Sequence, residues 1–155
     1  MIQSLCQWLS SWLPSITIPQ DNGKPYLTRY YLFGADRQFG NIFLHHFHSS
    51  DLDRSRENGS LLLHDHPFWG VSLILIGGYD EERCLKSDLI VRCKTFLPWS
   101  INIIRPNCYH RVDLLQSDGW SLFITGPRSK RRSWGFWDRI TKEYKDFREF
   151  AKAVP

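Results

Sequence analysis

Residues 61–79 read LLLHDHPFWGVSLILIGGY. An apolar triplet leads into His64 and His66, and Pro67 then interrupts the run. Side chains two apart on a strand share a face, so this spacing predicts both imidazoles on one side and Asp65 on the other. A second apolar run, Trp69–Ile76, ends at Gly77-Gly78, a pair suited to a tight turn. The stretch therefore reads as two strands and a turn, with a pair of potential metal ligands at the end of the first strand.

Working outward, the same punctuation continues on both sides. Tyr26–Phe33 and Asn41–His48 read as strands before the polar loop Ser49–Gly59. Tyr79–Leu85, Leu89–Leu97, Ile101–Arg105, His110–Leu115, Trp120–Thr125 and Trp134–Trp137 follow it. Strands this short and this evenly spaced imply a sandwich or barrel. At the N-terminus, Leu5, Trp8, Leu9, Trp12 and Leu13 fall on one helical stripe, which predicts a helix over 1–13 stopped by Pro14. Ile140, Tyr144, Phe147 and Ala151 show helical spacing too, which predicts a second helix over 139–153. The expected organisation is one domain over 1–155, with a barrel over 26–137 between two short helices.

Composition agrees with a globular chain. Of 155 residues, 42% are hydrophobic and 23% charged, which excludes a disordered protein. Aromatics reach 15%, suiting pleated, half-buried surfaces. Twenty Lys and Arg against sixteen Asp and Glu give a charge of +4, too balanced to mark a nucleic-acid binder. No apolar run is long enough to span a bilayer, and the first twenty residues carry no basic residue of a secretory signal. Cys6, Cys84, Cys93 and Cys108 lack C-x-x-C spacing and are read as reduced thiols in a cytoplasmic protein. There is no Walker loop, no G-x-S-x-G and no H-E-x-x-H, so P-loop and serine-nucleophile chemistry are set aside.

The six histidines fall in three strand-like segments: His45, His46 and His48; His64 and His66; and His110. Two imidazoles from one strand and a third from a later one can hold a divalent metal with positions left open. His110 is the expected partner of His64 and His66. By alternation His46 and His48 share a face and are possible additional ligands, with His45 opposite. Ligation needs neutral rings, so metal binding should weaken as pH falls through about 6.5.

Gly59, then His64-Asp65-His66, then Gly77-Gly78-Tyr79 resemble the first motif of the cupin superfamily. Phe96-Leu97-Pro98 through Arg105-Pro106-Asn107-Cys108-Tyr109-His110 resembles the second. The likeness covers roughly residues 40–126. The longer strings LHDHPFWGVSLILIGGY and ITGPRSKRRSWGFW are similar to a group of small bacterial and phage cupin-like proteins. The resemblance implies an all-β double-stranded β-helix, or jelly-roll barrel, and metal ligands His64, His66 and His110. Two departures stand out. Gly70 and Val71 occupy the positions where the first motif usually has a ligating Glu, and Cys108 replaces the usual Gly of the second. A site of three histidines is therefore expected, as in cupins related to thiol dioxygenases, which use iron. Alternatively, the missing carboxylate marks a decayed site.

Around these histidines, Tyr79, Arg105 and Tyr109 are candidate catalytic residues: Arg105 to hold a substrate carboxylate or phosphate, the tyrosines to hydrogen-bond an oxygenated group. Trp69 flanks the site, while Arg111 should point away from it. Cys108 is a possible thiolate ligand. Arg128-Ser129-Lys130-Arg131-Arg132 reads as a solvated loop before a core strand. The expected function is an Fe(II)-dependent, dioxygenase-type oxidation of a small polar molecule, with Zn, Mn or Ni as other metals. A non-catalytic binding module and, more weakly, a single-stranded nucleic-acid factor are the alternatives. Exposed sheet edges suggest a homodimer.

Overall fold

The computed structural model describes residues 1–20, 23–33, 40–51, 62–129 and 133–148. One helix, α1 (Ile2–Ser10), precedes the strands β1 (Ser15–Pro19), β2 (Pro25–Tyr31), β3 (Asn41–Phe47), β4 (Leu62–His64) and β5 (Gly70–Ile76). Then come β6 (Tyr79–Leu85), β7 (Arg92–Phe96), β8 (Ile101–Ile104), β9 (Cys108–Leu114), β10 (Gly119–Thr125), β11 (Gly135–Asp138) and β12 (Tyr144–Asp146). They form two six-stranded sheets, ordered β1-β2-β3-β10-β5-β8 and β12-β11-β4-β9-β6-β7. The sheets face each other as in a jelly roll: the chain crosses between the layers from β3 to β6 and again from β7 to β11, while β1-β2-β3, β6-β7 and β11-β12 stay within one sheet.

Alternation along each strand supplies both the interior and the outer packing. Between the sheets, Ile74, Tyr79, Phe96 and Val112 form a buried cluster with Phe47 and Leu114 against it. On the far side of the second sheet, Leu63, Cys84, Tyr109 and Trp137 form another. On the outer side of the first sheet, Leu44 and Trp120 meet Cys6 of α1.

α1 is shorter than expected and docks by a different face. Its contacts are Ile2, Cys6 and Leu9, while Leu5, Trp8 and Trp12 of the predicted stripe are exposed. Positions 2, 6 and 9 also share a helical face, so periodicity alone admits both rotations. The hydroxyls of Ser10 and Ser11 donate to the carbonyls of Gln7 (2.8 Å) and Trp8 (2.7 Å), closing the helix before Pro14.

The expected helix over 139–153 does not begin at 139: a turn and a strand come first, and helical backbone starts only at Phe147 and Arg148, where the described residues end. Tyr144–Asp146 is a strand paired with β11, with Gly135 opposite Asp146. A tight turn makes the return. The Asp138 carboxylate accepts from the Ile140 amide (2.8 Å), and Lys142 takes φ 62°. The open edge of β11 supplies backbone partners that local helical spacing cannot foresee. Residues 149–155 lie outside the described part.

Leu63 is fully buried, and Leu63→Ala should lower unfolding stability by about 2–5 kcal/mol. Ile140→Ala, at an exposed position, should change it by less than about 0.5 kcal/mol. Urea denaturation of both variants checks the contrast.

Candidate metal centre

β4 ends at His64, which stands directly opposite His110 of β9. Their rings are 4.5 Å apart, centre to centre. His66 lies past the end of β4, yet still faces inward, because Asp65 between the two histidines is fastened on the other side. The Asp65 amide donates to the Gly135 carbonyl (3.1 Å), and its carboxylate accepts from the Gly135 amide (2.8 Å). Lys86 completes the anchor with an ion pair to the same carboxylate. With Asp65 held outward, its neighbours converge. Nε2 of His66 is 2.9 Å from Nε2 of His110. One ligand nitrogen from each of His64, His66 and His110 lies within 4.8 Å of the others.

The donor set fits a divalent transition metal. Metal–imidazole bonds are about 2.0–2.1 Å long, so two nitrogens at right angles around an ion stand about 2.9 Å apart, the separation of His66 and His110. Each of two rings also has a carboxylate on its far nitrogen. His110 Nδ1 donates to Glu81 Oε1 at 2.7 Å, and His64 Nδ1 lies 3.6 Å from Asp51 Oδ2. Such partners set the tautomer and direct the other nitrogen toward the metal. Asp51 is itself held by β9: its carboxylate accepts from the Val112 amide at 2.9 Å. Sequence reasoning missed both acids. Asp51 sits in a segment read as loop, while Glu81 was legible as the inward position of Tyr79–Leu85, in step with Tyr79.

Electrostatics favour a neutral His66 ring. Burial, reinforced by the neighbouring histidines, holds His66 well below the ordinary histidine range. Burial alone would push the Glu81 carboxyl up. The hydrogen bond and charge of His110, with Arg83 and Asn102, outweigh it and keep Glu81 below the usual carboxylate range. Burial pushes the Cys108 thiol up to about 11. Cys108 is absent from the histidine cluster and stays a thiol at neutral pH.

The histidines line a cavity of about 1170 Å3 between the sheets. Its walls include Tyr79, as expected, but neither Arg105 nor Tyr109. Arg105 is exposed in the turn before β9. Tyr109 precedes His110 on a regular strand, so it points outward and stacks on Trp137 at 5.5 Å. Arg111 also points outward and pairs with Glu82 at 2.9 Å. Trp69 is exposed. His46 and His48 do share a face, but the outer one: His46 meets Asp118 at 3.2 Å and His48 meets Thr28 at 2.8 Å. His45 is the member of that segment that enters the cavity. Of the basic run, Arg128 lines the cavity, and 130–132 lie outside the described residues. Gly70 has no side chain to ligate with, and a Cβ there would stand 2.6 Å from the Phe123 ring.

Glu81→Gln should weaken metal binding by about 10–100-fold, with Asp51→Asn in the same direction, as read by chelator competition. The metal-free protein should lose stability in acid. His45, held low by burial and then by the Arg29 charge, stays neutral when folded but protonates below about pH 6.5 when unfolded. The unfolded state then binds more protons, so stability falls below pH 6.5, by up to about 1.4 kcal/mol per pH unit for this ring. Denaturation at pH 7.5 and 5.5 measures the drop, which should shrink in His45→Leu.

No family model matches the chain, and no curated protein does. Solved structures do. A cupin-2 domain protein of Rhodospirillum rubrum superposes with TM-score 0.53 at 11% identity, over 90% of this chain and 80% of that one. The Fe(II) form of HppE with substrate gives TM-score 0.56 at 10% identity, over 74% of this chain and 56% of that one. The capsular polysaccharide assembling protein CapF of Staphylococcus aureus gives 0.52 at 12% identity, over 76% and 30%. The chain thus spans little more than half of HppE and under a third of CapF. Two facing antiparallel sheets with His64, His66 and His110 gathered between them, and this set of structural neighbours, make the fold of this chain that of the cupins.

Proposed function

We propose that this chain is a metal-dependent enzyme, a dioxygenase-type oxidoreductase that acts on a small polar molecule, with Fe(II) held by His64, His66 and His110. The gathering of three ligand nitrogens within 4.8 Å carries the reading. HppE, a neighbour in fold, holds Fe(II) with its substrate. Imidazole ligands suit Zn, Mn and Ni as well. When bound, a redox-active ion on three neutral nitrogens supplies open positions for substrate and O2 and keeps its full positive charge.

The chain's own residues do the rest. Glu81 holds the proton on His110 Nδ1 and so keeps Nε2 available. Asn102 donates to Glu81 (3.1 Å) and to the Tyr79 hydroxyl (2.9 Å), which ties Tyr79 to the same network. Burial pushes the Tyr79 phenol up to about 12, so it remains a hydroxyl, able to donate to an oxygen in the cavity. Phe68, stacked at 5.1 Å on His66, and Phe123 give the site apolar walls that exclude water. The same reading includes a homodimer built through the edge strands β7 and β8, next to the exposed Trp99, Ile101 and Ile103.

Metal analysis of protein purified without a histidine tag is the test. We expect one transition-metal ion per chain, lost in His64→Ala and His66→Ala variants that keep their circular dichroism. Fe(II)-loaded protein should then consume O2 with a member of a panel of thiols and small acids. Metal without turnover would favour the binding-module reading, and absence of metal would overturn both.

A further inference from the structure

The cavity wall facing the three histidines belongs to the other sheet. There Arg29 of β2, His45 of β3 and Ser121 of β10 are register partners, side by side on one face. His45 is 4% exposed and is surrounded by Phe43, Phe47 and Phe123, with centroids at 5.6, 5.8 and 4.8 Å. Its Nε2 is buried and meets no hydrogen-bond partner among the described residues. The same is true of Ser121 Oγ. An imidazole among aromatic rings with an orphan nitrogen is a poor choice for packing. A Leu would fill the space without stripping water from a polar atom.

Charge points the same way. Arg29 and Arg128 line the cavity, against the single acid Asp51, among the described lining residues; Arg148, also at its wall, is paired with Asp146. Arg29 lies 5.9 Å from the centre of the Phe43 ring, next to His45. Its planar fork suits the two oxygens of a carboxylate, and a neutral His45 ring can add a third donor from Nε2.

We propose that Arg29 and His45 form an anion-recognition subsite, so that the molecule this cavity holds is a small organic carboxylate. Its acid group sits against the β2–β3 wall and its other end reaches toward His64, His66 and His110. Only the role of that other end rests on the metal reading above.

The test is calorimetric titration of the full chain, metal-free and Zn(II)-loaded. The probes are lactate, 3-hydroxybutyrate and 4-hydroxybutyrate, each against its primary amide. We expect at least one acid to bind tenfold or more tighter than its amide. That preference should fall below threefold in Arg29→Met, persist in part in Arg29→Lys, and weaken at least threefold in His45→Leu. His45→Leu should keep or raise the melting temperature, which a structural histidine would not allow. If Arg29→Met does not fold, Arg29→Gln carries the same comparison. No acid preferred over its amide, or a preference unchanged without the guanidinium, overturns the subsite. Preference kept in metal-free protein that fails to take up Zn(II) leaves the subsite standing and removes the metal reading alone.

Discussion

A carboxylate with 1% exposure stands between the two sheets at Glu81. Withdrawing such a charge from water costs several kcal/mol unless donors surround it. The donors come from three strands: Nδ1 of His110 on β9, the side-chain amide of Asn102 on β8 and the guanidinium of Arg83 on β6 itself. β8 belongs to one sheet, β6 and β9 to the other. Satisfying one charge therefore sets how the sheets approach, which tautomer His110 adopts and where its Nε2 points. Arg83 also donates to Asn102 Oδ1 at 2.6 Å, so the group closes on itself. A break at any donor leaves the buried carboxylate with fewer partners than its two oxygens meet here.

Asp65 plays the complementary part on the outside. Its bonds to Gly135, Lys86 and Tyr144 turn residues 64–66 into a short rigid bridge with an imidazole on either side. The carboxylate between the two histidines serves as an anchor, and Asp51 and Glu81 meet the imidazoles of His64 and His110 from elsewhere in the chain. Position 70 has no room for a side chain, since Phe123 fills the space over Gly70. The cavity consequently has two unlike walls: imidazoles steadied by acids on one side, and aromatics with a guanidinium and a lone imidazole on the other.

Much of this was legible in the chain. Period-two patterning and turn residues located most of the strands, and the H-x-H pair with the distant His110 named the cluster the fold assembles. The misses share a cause. Trp8 and Trp12 against Cys6, and Tyr144 as strand against helix, are choices between faces or partners that local spacing leaves equivalent. Tyr109 and Arg105 neighbour the site in sequence but not in space, since alternation sends Tyr109 outward and the turn before β9 leaves Arg105 in solvent. Asp51 lay in a polar stretch read as loop, and Glu81, although alternation puts it on the face of Tyr79, carried no local sign of the imidazole it would meet.

The amino-acid order determined the class of fold and the identity of the three imidazoles, because strand alternation and ligand chemistry act over a few residues. Which acids would serve those imidazoles, which histidine of Asn41–His48 would enter the cavity and which face of α1 would dock were decided by tertiary contact. Those outcomes hinge on which distant groups share a dry space, and burying an unmatched charge or polar atom there is too costly for any other arrangement to persist.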